Sequence, residues 1–203
     1  MTMRTTSFGE QKISILDRFI FWLRKRRLSS VLQESVDLAA DLGSGHHASL
    51  LSSLLSDGTI ARGHAVDLSL DPSIFSPVLS GEEQDLNTGV VSLPEGSADL
   101  VVSLAIIEHL HDPVHHLKEA FRLLAPGRKL VLTTPSPYGK PLLEFLAYQL
   151  HVIDEAEILD HKHYFRACEI RDLLSMIGFE DIEVKCFLLG LNTIAVGKKP
   201  RRS

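Results

Sequence analysis

With 203 residues, 44% of them hydrophobic and 23% charged, the chain can close one full core and is too apolar to be disordered. A net charge of -5 gives the whole molecule no footprint for nucleic acid, and no such partner is expected. Cys168 and Cys186 make neither a CxxC pair nor a disulfide framework.

After a few polar residues, positions 13–34 carry a helical pattern. Its apolar stretch Phe19-Ile20-Phe21-Trp22-Leu23 is too short to span a bilayer and lacks the flanks of a signal peptide. A soluble, cytoplasmic protein is therefore the default expectation. The basic run Arg24-Lys25-Arg26-Arg27 follows. The segment reads first as an amphipathic helix that packs on the domain or lids its site. Peripheral contact with an anionic membrane, through the aromatic residues and the basic run, is the alternative. Lys198, Lys199, Arg201 and Arg202 crowd the other end, so the body between is more acidic than the net value. The chain thus divides into an amino-terminal helical segment (1–34), one domain (35–198) and a basic tail (199–203).

Within the domain, Val36-Asp37-Leu38-Ala39-Ala40-Asp41-Leu42 is an apolar run stopped by glycines, the pattern of a buried parallel strand entering a tight turn. A helix is predicted over 48–55 and a second strand over 59–68. Asp71-Pro72 predicts a further helix start, since proline suits a first turn. A weak third strand is read near 83–86 and a strong fourth over 98–104. Residues 113–124 read as helix, Pro126-Gly127 as a break, and 129–134 as a fifth strand. Helices follow at 142–150 and 168–177, the second capped by Gly178. Two last strands, 182–188 and 192–197, are joined by too few residues for a parallel crossover, so they form an antiparallel hairpin. Strands alternating with helices imply an α/β fold with a mostly parallel sheet covered on both faces. Ligands of such sheets bind beyond the carboxyl ends of the strands, where strand order reverses.

The turn Asp41-Leu42-Gly43-Ser44-Gly45 stands at such a place. Its glycines permit a sharp turn and close approach, and the helix after it offers exposed N–H groups. Asp67, with Leu68 beside it, ends the second strand where a ribose-binding acid belongs. Asp85 and Leu86 follow the third, where an acid can accept a hydrogen bond from an exocyclic amine. Gly43-Ser44-Gly45-His46-His47-Ala48 also fits a relaxed dinucleotide fingerprint, so an NAD(P)-dependent oxidoreductase is a rival. Asp41, the terminal hairpin and the little chain left for a substrate domain count against it.

Leu93-Pro94-Glu95-Gly96-Ser97-Ala98-Asp99-Leu100, Ile107-Glu108-His109-Leu110-His111-Asp112-Pro113, Glu119-Ala120-Phe121-Arg122-Leu123-Leu124-Ala125-Pro126-Gly127 and Gly178-Phe179 occur in that order. With them, residues 36–198 resemble the class I S-adenosylmethionine-dependent methyltransferases, of the small group that includes quinone-pathway methylases. The resemblance implies a Rossmann-like three-layer sandwich with a seven-stranded sheet in the order 3-2-1-4-5-7-6, strand 7 antiparallel. It implies S-adenosylmethionine as cofactor and methyl transfer to a small-molecule acceptor, quinone-like or lipid-linked. Asp41, Gly43, Ser44 and Gly45 would surround the methionine part, Asp67 and Leu68 the ribose, and Asp85 and Leu86 the adenine. Ser103, Leu104 and Ala105 would lie near the methyl group. Where some relatives carry a Glu-x-x-Glu-His metal site, Ala105 replaces the first glutamate, and no metal is expected there.

Transfer is an in-line displacement at a sulfonium carbon, so the protein supplies position and sometimes a base. His109 and His163 are the candidate bases, with His161 beside the latter; the alternatives are that His109 caps a helix and His163 packs on the hairpin. His111, His115 and His116 are read on an exposed helix face. A non-catalytic cofactor-binding protein is the third reading.

Overall fold

The computed structural model describes Arg26, Leu28 and residues 35–139 and 162–201. The helix expected over 13–34, apart from Arg26 and Leu28, lies outside them, as do the helix at 142–150, His161 and Arg202. Arg26 is helical and exposed; Leu28 is helical and fully buried. No helix among the described residues is long and apolar enough to cross a membrane.

Seven strands form one sheet: β1 (Val36–Leu42), β2 (Ile60–Asp67), β3 (Leu79–Glu83), β4 (Ala98–Leu104), β5 (Leu124–Pro135), β6 (Glu180–Phe187) and β7 (Asn192–Lys198). Their order is β3-β2-β1-β4-β5-β7-β6. Pairing is parallel from β3 to β5, and β7 runs antiparallel to both β5 and β6, as the short connection requires. The helices are α1 (Ser49–Ser56), α2 (Pro113–Leu123) and α3 (Ala167–Ile177).

Alternation along the central strands feeds two cores. In β4, Leu100 and Val102 join a cluster with Leu28 and with Leu50, Leu51 and Leu54 of α1. Val101 points the other way, into a cluster with Leu117, Ala120 and Leu123 of α2 and Ile170 and Leu174 of α3. Side chains of successive strand residues take opposite faces, so a strand covered on both sides must be apolar throughout. The fold is thus the three-layer Rossmann-like sandwich that the resemblance implies.

Three expectations change. Asp71-Pro72 opens only a 3-10 turn, Pro72–Ile74. Asp71 does accept the Ser73 N–H, but Pro77 two residues past Phe75 disfavours helical backbone at Ser76. The third strand lies at Leu79–Glu83, earlier than 83–86, so Asp85 and Leu86 stand beyond its end. It is an edge strand with one buried residue, which leaves little apolar signal to read. Pro126-Gly127 does not delay β5, which starts at Leu124; the pairing with β4 shifts register between Ala98 and Leu100 and absorbs the pair. Lys199, the first residue of the basic tail, is buried, and its ammonium donates to the carbonyls of Phe121 and Leu124 at 2.8 Å each, closing the carboxyl end of α2.

Candidate cofactor site

Strand order reverses between β1 and β4, which pair side by side with Asp41 opposite Val102. The carboxyl ends of β1, β2 and β4 therefore meet at one edge, and the residues singled out there are brought together. Gly43 and Gly45 have φ of 89° and 73°, and the N–H groups of Gly43 and Ser44 both turn back onto the Val66 carbonyl. A side chain at Gly43 would be strained in φ and would strike Ile106, whose Cγ1 lies 2.0 Å from an ideal Cβ. No local pattern announces Ile106: the close approach at this glycine is to the loop after β4.

Asp67 braces the turn. One of its oxygens accepts the Gly45 N–H at 2.8 Å and the other its neighbour Leu68's N–H at 2.8 Å. Strand alternation puts Asp41 on the same sheet face, one strand over. Asp41 is only 2% exposed, and burial, with the charge of Asp67 added, pushes its pKa up to about 7. Two acids thus share one edge, one of them ionising only with difficulty.

Ser44 is half-buried and its hydroxyl donates to the Gly45 carbonyl. Leu68 is exposed. Gln84 N–H donates to the Asp67 carbonyl and carries the chain to Asp85, whose Oδ1 accepts from the backbone and amide of Asn87. Asp85 is exposed and Leu86 buried beneath it. Ala48, before α1, and Ala105, after β4, both take left-handed φ, 42° and 56°. Neither is glycine, and such strain gathers where a backbone is held for use.

Ser103 is the penultimate residue of β4. Its hydroxyl faces α2 and lies 2.9 Å from His116 Nε2, both residues being buried. His116, read as exposed from sequence, is 1% exposed; it falls one residue from Leu117 on the inward face of α2. Burial, then the charge of neighbouring His115, pulls its pKa down to about 4 against the pull of Glu119. It is neutral, and its ring stands against the Ser103 hydroxyl inside the domain.

His109 ends the short turn Ile107–His109 after β4 and is buried. The Glu108 carbonyl accepts the N–H groups of Lys162 and His163 at 2.8 and 3.2 Å, and Lys162 Nζ donates to the His109 carbonyl. The two candidate bases are thus tied to one stretch of backbone. The centroid of the His163 ring lies 5.4 Å from that of Phe165.

A glycine turn at the switch point, acids closing three successive strands and a terminal antiparallel hairpin define a nucleoside-cofactor α/β domain. The methyltransferase domain family matches residues 24–184, and the chain belongs to that family. It is 27% identical over 187 residues to a probable S-adenosylmethionine-dependent methyltransferase of Mycolicibacterium smegmatis, covering 85% of this chain and 64% of that protein. The chain spans between 46% and 64% of the length of the curated relatives it matches. Among solved structures, a SAM-dependent methyltransferase from Archaeoglobus fulgidus superposes with a TM-score of 0.67 at 18% identity, over 90% of this chain and 94% of that one. Phosphoethanolamine N-methyltransferase 2 of Haemonchus contortus, bound to S-adenosyl-L-methionine, gives 0.69 at 14% identity, over 89% and 53%.

Proposed function

We propose that this chain binds S-adenosylmethionine at the carboxyl edge of β1, β2 and β4 and transfers its methyl group to a small-molecule acceptor. Membership of the methyltransferase family supports the reading, and one observation carries it against the dinucleotide alternative: the buried Asp41 beside Asp67. The cofactor brings an ammonium and a sulfonium, and a cation next to Asp41 offsets the burial, and the lesser repulsion from Asp67, that hold its pKa high. A pyrophosphate in the same place would add negative charge to two acids.

In this reading Gly43, Ser44, Gly45 and Asp41 hold the methionine end. Asp67 takes the ribose hydroxyls, with Leu68 flanking them, and Asp85 and Leu86 bound the adenine. Leu104, Ala105 and the Ser103 backbone lie beside the transferred methyl. The bound cofactor supplies the electrophilic carbon and the leaving group; the chain supplies orientation and exclusion of water. His109 and His163 are the side chains assigned to acceptor deprotonation where an acceptor requires it.

Calorimetric titration with S-adenosylhomocysteine and with NAD tests the reading. S-adenosylhomocysteine is expected to bind and NAD not to. Because the ligand's ammonium favours ionised Asp41, binding near pH 7 should release up to about half a proton, read from buffers of different ionisation enthalpy. NAD binding without S-adenosylhomocysteine binding would sink the proposal. Asp67→Ala should weaken S-adenosylhomocysteine by roughly 100-fold, through two lost charge-assisted bonds and a loosened turn.

A further inference from the structure

His46, His47 and Asp71 are not used by the site above. They come from two loops, one after β1 and one after β2, and one ligand atom of each lies within 4.8 Å of the others. His47 Nδ1 is 3.3 Å from Asp71 Oδ2. Ligands held about 2.0–2.1 Å from a tetrahedral ion are separated by about 3.3 Å, so this pair already has the spacing of two coordination vertices. Closing the longest of the three separations to that value needs a shift of no more than about 1.5 Å.

The surroundings hold these side chains in place. The Asp71 N–H donates to the His46 carbonyl at 2.9 Å, which joins the two loops. Asp71 Oδ1 accepts the Ser73 N–H, leaving Oδ2 toward His47. The bonds from Ser73, hydroxyl and backbone, keep the Asp71 carboxyl below its ordinary range, with the two imidazoles adding to the effect. His46 Nδ1 rests 3.3 Å from Ser69 Oγ, an outer partner of the kind that orients a ligating imidazole. The two rings meet edge to face at 4.8 Å between centroids. His47 is exposed and the other two half-buried, so an ion has access from solvent.

We propose that His46, His47 and Asp71 bind a divalent transition-metal ion, zinc or nickel in class, at the outer lip of the glycine turn. Two imidazoles and one carboxylate suit these ions and leave a coordination position open. The ion would clamp the loop carrying Gly45 to the loop following Asp67. The site stands on its own three side chains, whatever ligand the turn itself holds.

The test uses the full chain freed of any affinity tag. Zinc chloride is titrated calorimetrically, and cobalt(II) is followed by its visible absorption. One ion per chain is expected, with Kd at or below roughly 10 μM. His47→Ala and Asp71→Asn should each weaken zinc at least about tenfold and remove the cobalt bands, while His111→Ala changes neither. Both site variants are at surface positions, and circular dichroism verifies their fold. No saturable zinc binding by about 100 μM, or binding that survives both substitutions, overturns the proposal.

Discussion

The two edges of the sheet treat their acids in opposite ways. Where β4 begins, Asp99 accepts the N–H groups of Asp37 and Leu38 and pairs with Arg128 at 3.0 Å. Nearby, Glu119 accepts the Val91 N–H and two bonds from Arg122, which also donates to the carbonyls of Val91 and Leu93. Burial works against the Glu119 charge, but the Arg122 and Val91 bonds hold its carboxyl below the ordinary range. At the carboxyl edge, Asp41 is buried against a second acid and its pKa rises. Asp99 and Glu119 are held by paired donors where they brace the fold, and Asp41 alone among these acids is left in conflict at the carboxyl edge. That contrast separates the parts of the family-like sequence blocks that build the domain from the parts that serve it.

The strongest way to break the comparison is to remove the conflict. Asp41 has a folded pKa of about 7 against an ordinary 3.8. The folded chain therefore keeps a proton that the unfolded chain releases, and the associated stability is present below about pH 4 and lost as pH rises through about 7. A shift of this size is worth about 4 kcal/mol. Asp41→Asn should match wild type near pH 4 and exceed it by up to about that amount above pH 7, in urea denaturation followed across pH. The same variant should bind S-adenosylhomocysteine more weakly and release no proton. A variant that is less stable than wild type at pH 8 would show that Asp41 is not in conflict.

Arg122→Ala attacks the other edge. It leaves Glu119, whose side chain is 8% exposed, without its charge partner and frees two carbonyls in the 91–93 segment. The expected cost is about 3 kcal/mol of stability, measured by denaturation, with S-adenosylhomocysteine affinity of the folded molecule unchanged. Loss of affinity without loss of stability would erase the distinction between the edges.

What the sequence disclosed follows the same division. The parallel strands were legible because burial on both faces demands unbroken apolar runs, and the hairpin because its connection is short. Asp41 and Asp67 were legible because an acid ending such a run stands out. β3 was not, because an edge strand such as Leu-Ser-Gly-Glu-Glu lacks that demand. The inward histidine at 116 was hidden because its type resembles a surface residue, and only the facing Ser103 explains its burial. Ile106 over Gly43, and the meeting of His46 and His47 with Asp71, depend on loops that approach in space without any local pattern to announce it.

The smallest expected effect tests whether the carboxyl edge stores backbone strain as well as charge conflict. Ala105 sits at φ 56° with its N–H held by the Thr133 carbonyl at 2.9 Å. The left-handed region costs a residue with a Cβ about 1 kcal/mol or more, while glycine adopts it freely but loses more chain entropy on folding. The two terms leave Ala105→Gly about 0.5 kcal/mol more stable than wild type. If the strain fixes the backbone next to the transferred methyl, the gain should come with a severalfold loss of S-adenosylhomocysteine affinity, because the freed loop must be ordered again on binding. Stability that rises with affinity unchanged would make Ala105 an ordinary turn residue, and would leave Asp41 as the frustrated group on which the contrast between the two edges depends.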